Sequence, residues 1–327
     1  MTPLRAALTI LVLAGTLAAQ QPYPQGPKPM PPTPAPAPKP PKPAPPAKPK
    51  LPESDPRNVP DPRDVPDPRK AADPRGTPQD PYAQLEGEAL YDALYDAGED
   101  GRLAQVLKED GWNILAYIDK HCEGWMALLE NGADQTPEGK AKLEEMQAKG
   151  LKLAALADNA LGDTRFTSYV TNFYAWDADQ RKSFREGQDL YRKGAQLAAE
   201  AKSPQEAQYA MTSLQQSLEH SRPLSDTWGQ SMTLSLMGRV QKANGMTDVA
   251  AGTMAQAREL GRQIRDLPSV WDALAIQYEI AVARRQYQPA RTALQEQYLI
   301  TVDLKDEQAG ALITQQLVEL DKILGPG

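Results

Sequence analysis

From Tyr82 onward, apolar residues recur every three or four positions. That spacing places them on one face of a helix. In 112–131 such a face runs through Leu115, Ile118, Cys122, Met126 and Leu129. No alternating β-branched run occurs, and no Asn-Gly or Asp-Gly pair joins two strand-like segments. The pattern predicts an all-α fold. Helices are expected over 82–97, 102–110, 112–131, 137–160, 164–175, 178–201, 204–220, 225–243, 248–265, 269–286, 289–302 and 306–324. Their connections are short, so neighbours should pack antiparallel.

Local chemistry marks several ends. Ser203-Pro204-Gln205-Glu206 combines a capping hydroxyl, a proline suited to the first turn and a capping-box acid. Thr136-Pro137-Glu138 is a second start. Asp177 with Gln180, Ser269 with Asp272, and Asp303 with Asp306 have the capping spacing. Gly132, Gly162, Gly245 and Gly325 are expected stops, because glycine tolerates the left-handed conformation that ends a helix. In 306–324, Ala309, Leu312, Ile313, Leu317, Leu320 and Leu324 should face inward, and Gln315, Gln316, Glu319 and Lys322 outward.

The second half carries a more specific signal. Trp271, Leu274, Ala275 and Tyr278 stand at the spacing W-x₂-L-A-x₂-Y, followed by Tyr287, Pro289, Ala290 and Leu294. Tyr191, Gly194, Ala195 and Ala198, then Ala207, Met211 and Leu214, make a related frame. A third begins at Trp228, with Met232, Ser235 and then Ala250 or Ala251. Residues 186–303 thus resemble tetratricopeptide repeats. The resemblance implies an αα-hairpin repeat, a solenoid, over 179–327, closed by 306–324 as a capping helix. An irregular helical bundle over 82–178 would precede it. The resemblance also implies a concave partner-binding surface lined by first helices. By position in each unit that surface would carry Arg192, Gln196, Thr233, Leu236, Asp272, Ile276 and Glu279.

The start of the chain has another character. Arg5 precedes an apolar or small run, Ala6 to Ala19, with Thr16 and Ala18 at cleavage-site spacing. Residues 1–19 read as a secretory signal peptide, too short to span a membrane. Of the 31 prolines, 24 lie in 22–81, a stretch with one aromatic, Tyr23. Proline fixes φ and removes the amide donor, so 20–81 is expected as a disordered, polyproline-type tether. Asp-Pro-Arg recurs there at Asp55, Asp61, Asp67 and Asp73. Lys28, Lys39, Lys42, Lys48 and Lys50 have no acid among them, and could hold an anionic wall polymer.

The chain is net −7, and the residues beyond 81 hold −11. Such acidity, with no aromatic-interleaved basic patch, speaks against nucleic acid. Two histidines and one cysteine exclude a disulfide framework and a cysteine-based zinc module. His220 is adjacent to Ser221, and His121 to Cys122, and neighbours in a helix do not face each other. Asp96 to Gly101 has part of a calcium loop's pattern, but Gly98 occupies its third position and Leu107 the bidentate glutamate's. Neither metal nor cofactor is expected. The sequence therefore predicts an exported, non-catalytic scaffold for protein–protein interaction in the bacterial cell envelope, in the periplasm or at the cell surface. The alternatives are a wall-associated structural protein held through the basic tether, and an enzyme using dispersed acids.

Overall fold

The computed structural model describes residues 80–325. The expected signal segment and nearly all of the tether lie outside the described residues. Residues 86–325 form one compact unit. Among the described residues there are twelve α-helices and no strand, an all-α arrangement. The first five are α1 (Gly87–Asp96), α2 (Asp100–Glu109), α3 (Ile114–Glu130), α4 (Pro137–Leu161) and α5 (Arg165–Ala175). Then come α6 (Ala178–Glu200), α7 (Pro204–Ser221), α8 (Thr227–Ala243) and α9 (Thr247–Ile264). The chain finishes with α10 (Leu267–Ala283), α11 (Tyr287–Asp303) and α12 (Glu307–Leu324).

Each expected helix has a counterpart, and several caps form as the sequence predicts. Thr136 Oγ1 accepts the Gly139 amide at 3.0 Å. Asp177 and Gln180 make a reciprocal capping box, both bonds at 2.9 Å. Ser203 Oγ accepts from the Glu206 amide at 3.3 Å. The other two predicted starts shift. Asp266 caps α10 by accepting from Ser269, so Ser269 lies inside the first turn. Asp306 caps α12 by accepting from Ala309 at 2.9 Å, and Asp303 ends the helix before it. An aspartate three residues ahead of a serine competes for the cap and wins, since its carboxylate is a stronger acceptor.

The first five helices are uneven in length, from ten to twenty-five residues. Helix α3 lies against both α4 and α5. Its expected face is buried at Leu115, Ile118, Cys122 and Met126. Phe173, Trp176 and Phe184 then form an aromatic knot, with ring centroids 4.6 to 5.4 Å apart. Trp176 Nε1 and Asn172 Nδ2 both donate to the Leu224 carbonyl, at 3.3 and 3.0 Å. These bonds fix the turn that leads into α8.

From α8 onward the chain is regular. Ser225, Gly245, Arg265, Arg285 and Lys305 all have positive φ, between 53° and 76°. They lie twenty residues apart. The next residue in each case (226, 246, 266, 286, 306) sends its amide back five positions to a carbonyl, at 2.8 to 3.1 Å. That is the backbone closure of a Schellman motif, and the same residue then opens the following helix. Asp226, Asp266 and Asp306, forty residues apart, cap α8, α10 and α12 through their side chains. Met246 and Gln286 open α9 and α11 without a side-chain cap. Ala250 and Ala290, also forty apart, are fully buried where the backbones approach. Trp228 and Trp271 are forty-three apart, so they stand three residues out of step with these starts.

Trp271 is half-buried against the α10–α12 core and also meets Trp112, ring centroids 5.6 Å apart. In α12, Ile313 and Leu320 face inward as expected, but Leu312 and Leu324 are exposed, and Gln316 and Glu319 are half-buried. Helix α12 packs chiefly on α11. One neighbour covers a narrower stripe than the sequence pattern offers.

Candidate functional site

The residues expected on the partner-facing surface fall into two groups. Arg192 and Gln196 are exposed on α6, paired along the helix with Asp189 and Glu200. Thr233, Asp272 and Ile276 are buried, and Leu236 and Glu279 are half-buried. The cause is that first helices touch directly: α8 lies against both α6 and α10. Asp272 accepts from Ser235 Oγ at 2.6 Å and pairs with Arg239 Nε at 2.8 Å. Glu279 pairs with Lys242, and Asp266 accepts from Ser231 Oγ at 2.9 Å. This polar ladder joins α8 to α10, which leaves Asp272 and Glu279 occupied by their own chain.

The ionisable groups elsewhere are also engaged in structure. Arg185 on α6 donates from Nε and Nη2 to the two Glu130 oxygens, at 2.8 and 3.1 Å. Its Nη1 reaches Glu123 of α3 and Gln188. Nearby, Asp119 is fully buried and accepts from Tyr169 OH at 2.5 Å, while its Oδ2 has no partner. Burial, then the Glu123 charge, pushes the Asp119 carboxyl well above the usual carboxylate range. Asp226 is pushed up to about 6, chiefly by burial. The cavity beside Asp226, also lined by Gln188, Tyr191 and His220, measures about 10 Å³, room for about one water.

The histidines and the cysteine behave similarly. Ser183 Oγ lies 2.9 Å from His220 Nδ1, and Glu186 Oε2 lies 3.8 Å from the same nitrogen. A hydrolytic triad puts hydroxyl and carboxylate on opposite nitrogens, so this arrangement does not make one. His121 packs edge-on to Tyr117, and burial lowers it to about 4, so its ring is neutral at pH 7. Cys122 is buried, which pushes its thiol up and removes its reactivity. Among the described residues no group of three His, Cys, Asp or Glu converges to hold a metal ion.

The open feature lies between α9, α10 and α11. It is a groove of about 330 Å³, within the range of ligand sites. Ala251 and Arg258 come from α9, Ile280 from α10 and Arg284 from its C-cap, Pro289 and Thr292 from α11. Gln277 and Gln286 add amides, and no acid lines it. Arg258 donates to Gln277 Oε1 at 3.0 Å and pairs with Glu296 at 2.8 Å. Arg284 pairs with Asp248, whose side chain is 91% exposed. No family model, curated protein or solved structure matches this chain.

Sequence reasoning pointed to first helices and missed this groove, where second helices supply most of two walls. The signal was present in a weak form. Small residues at Ala251, Ala281 and Ala293 fall on helix faces where a larger side chain would close the space.

Proposed function

We propose that this chain is an exported, non-catalytic helical-repeat scaffold that docks another protein in the bacterial cell envelope. The observation that carries the reading is the twenty-residue step from α8 to α12, with aspartate caps every forty residues. Stacked αα-hairpins of this kind present long, continuous faces to partner segments. Acids on the first helices are taken up by inter-helix pairs such as Asp272 with Arg239 and Glu279 with Lys242. The apolar run at Ala6 to Ala19 supports export, and the proline-rich stretch supports a spacer.

The test is affinity capture from an envelope extract with the full chain as bait, beside an unrelated acidic helical protein. A specific protein, displaced by excess untagged chain, is expected. Recovery of the same set on both baits overturns the reading. The run of five lysines without an acid favours wall attachment as a second reading. In the full chain, changing Lys28, Lys39, Lys42, Lys48 and Lys50 to Ser should abolish co-sedimentation with purified wall polymer. Unchanged pelleting removes that reading.

A further inference from the structure

We propose that the groove between α9, α10 and α11 holds an extended acidic segment of the partner protein, with two carboxylates three residues apart. This inference rests on the docking reading above and names its site and chemistry. The residues beyond 81 are net −11, yet the groove is lined by two arginines and no acid. A cationic lining in an acidic surface selects for the opposite charge at that place.

The geometry sets the spacing. Helices α9 and α10 run antiparallel, because Arg258 meets Gln277 while Asp248 meets Arg284. The two guanidinium groups therefore mark opposite ends of the groove. From Gln277 to Arg284 is seven residues of helix, roughly 10 Å along the axis. An extended chain of the polyproline type advances ~3.1 Å per residue and turns once in three, so side chains three apart share a face and cover the same span. Between the ends, Ala251, Ala281 and Ala293 leave room for small side chains.

Both arginines have capacity to bind. A guanidinium carries five N–H donors; Arg258 gives one from Nη1 to Gln277 and one from Nη2 to Glu296, and each of those nitrogens carries a second. Arg284 is held by the exposed Asp248, a pairing that an incoming carboxylate displaces readily. Asp248 thus competes with the ligand, and its removal should tighten binding.

The experiment is fluorescence anisotropy on the full chain at low salt, with fluorescein-labelled Ala-Glu-Ala-Pro-Glu-Ala as probe. The lysine analogue and the adjacent-acid peptide Ala-Glu-Glu-Ala-Pro-Ala serve as comparisons. The first peptide is expected to bind, the adjacent-acid peptide more weakly and the lysine analogue not at all. Arg284→Ala should weaken the first about tenfold, and Asp248→Asn should tighten it several-fold. Both are surface changes that leave the helices intact, as circular dichroism would verify. Equal binding of acidic and basic peptides, or affinity indifferent to both substitutions, overturns the proposal. If Arg284→Ala leaves capture of a specific partner intact, the groove chemistry is wrong while docking stands. If no specific partner is captured at all, the underlying reading fails instead.

Discussion

Helices α1–α6 and helices α8–α12 reach stability by different means. The first set differs in length and is held by individual contacts: the aromatic knot at Phe173, Trp176 and Phe184, and the Arg185 fork on Glu130 and Glu123. The second set repeats one device, a left-handed residue followed by a capping position, every twenty residues. Loss of one contact in the first set leaves a neighbour unpaired. The comparison teaches that regularity here lies in the connections, while the irregular part supplies the buried polar network that fastens α6 to α3.

The largest break should come from Arg185→Ala. It leaves Glu123 buried without its cation, a loss of about 3–5 kcal/mol, read as a lower denaturant midpoint. A midpoint close to wild type would mean the fork is ornamental.

Next in size is the pH response of Asp226. Its folded pKa of about 6 lies above the unfolded value of 3.8. The stabilisation is thus complete below about pH 4 and disappears as pH rises through 6, about 3 kcal/mol in all. The raised Asp119 and Asp266 act in the same direction. His121, lowered to about 4, acts oppositely: its contribution is present above pH 6.5 and lost as pH falls through 4. Asp226→Asn keeps a capping side chain, so it should raise stability at pH 7 and flatten the slope between pH 4 and 6. Thermal melts across that range check it, and an unchanged slope would assign the response elsewhere.

A smaller effect separates the interior of the regular set from its end. Asp266→Ala removes a cap and the nearer of two acceptors of the buried Ser231 hydroxyl, costing about 2 kcal/mol. Asp306→Ala removes a cap alone, costing about 1 kcal/mol. Equal losses would show that the link to α8 contributes nothing. Smallest of all, Arg285→Gly should stabilise by about 0.5–1 kcal/mol, since a non-glycine residue held at φ 59° is strained.

Much of the fold was legible in the sequence. Period 3.6 gave the helices, and Thr136, Asp177 and Ser203 marked their starts where sequence placed them. The twenty-residue step was hidden because only Gly245 of its five left-handed residues is glycine. Arg265, Arg285 and Lys305 adopt that conformation because the next helix begins immediately after them, which no local propensity reveals. The burial of Thr233, Asp272 and Ile276 was hidden for a related reason. A stripe such as Thr233, Asp272 and Ile276 has the same periodicity whether it meets solvent or a neighbouring helix, and here α8 and α10 cover one another. The groove was invisible because it is defined by small residues on three helices whose register depends on those turns.

The most direct test of the docking account places a photo-crosslinking residue at Thr292, on the groove wall, or at Lys140, exposed on α4. Each full chain is irradiated in an envelope extract. The account predicts one dominant adduct from position 292 and none from 140. Equal adducts from both positions, or none from either, would contradict it.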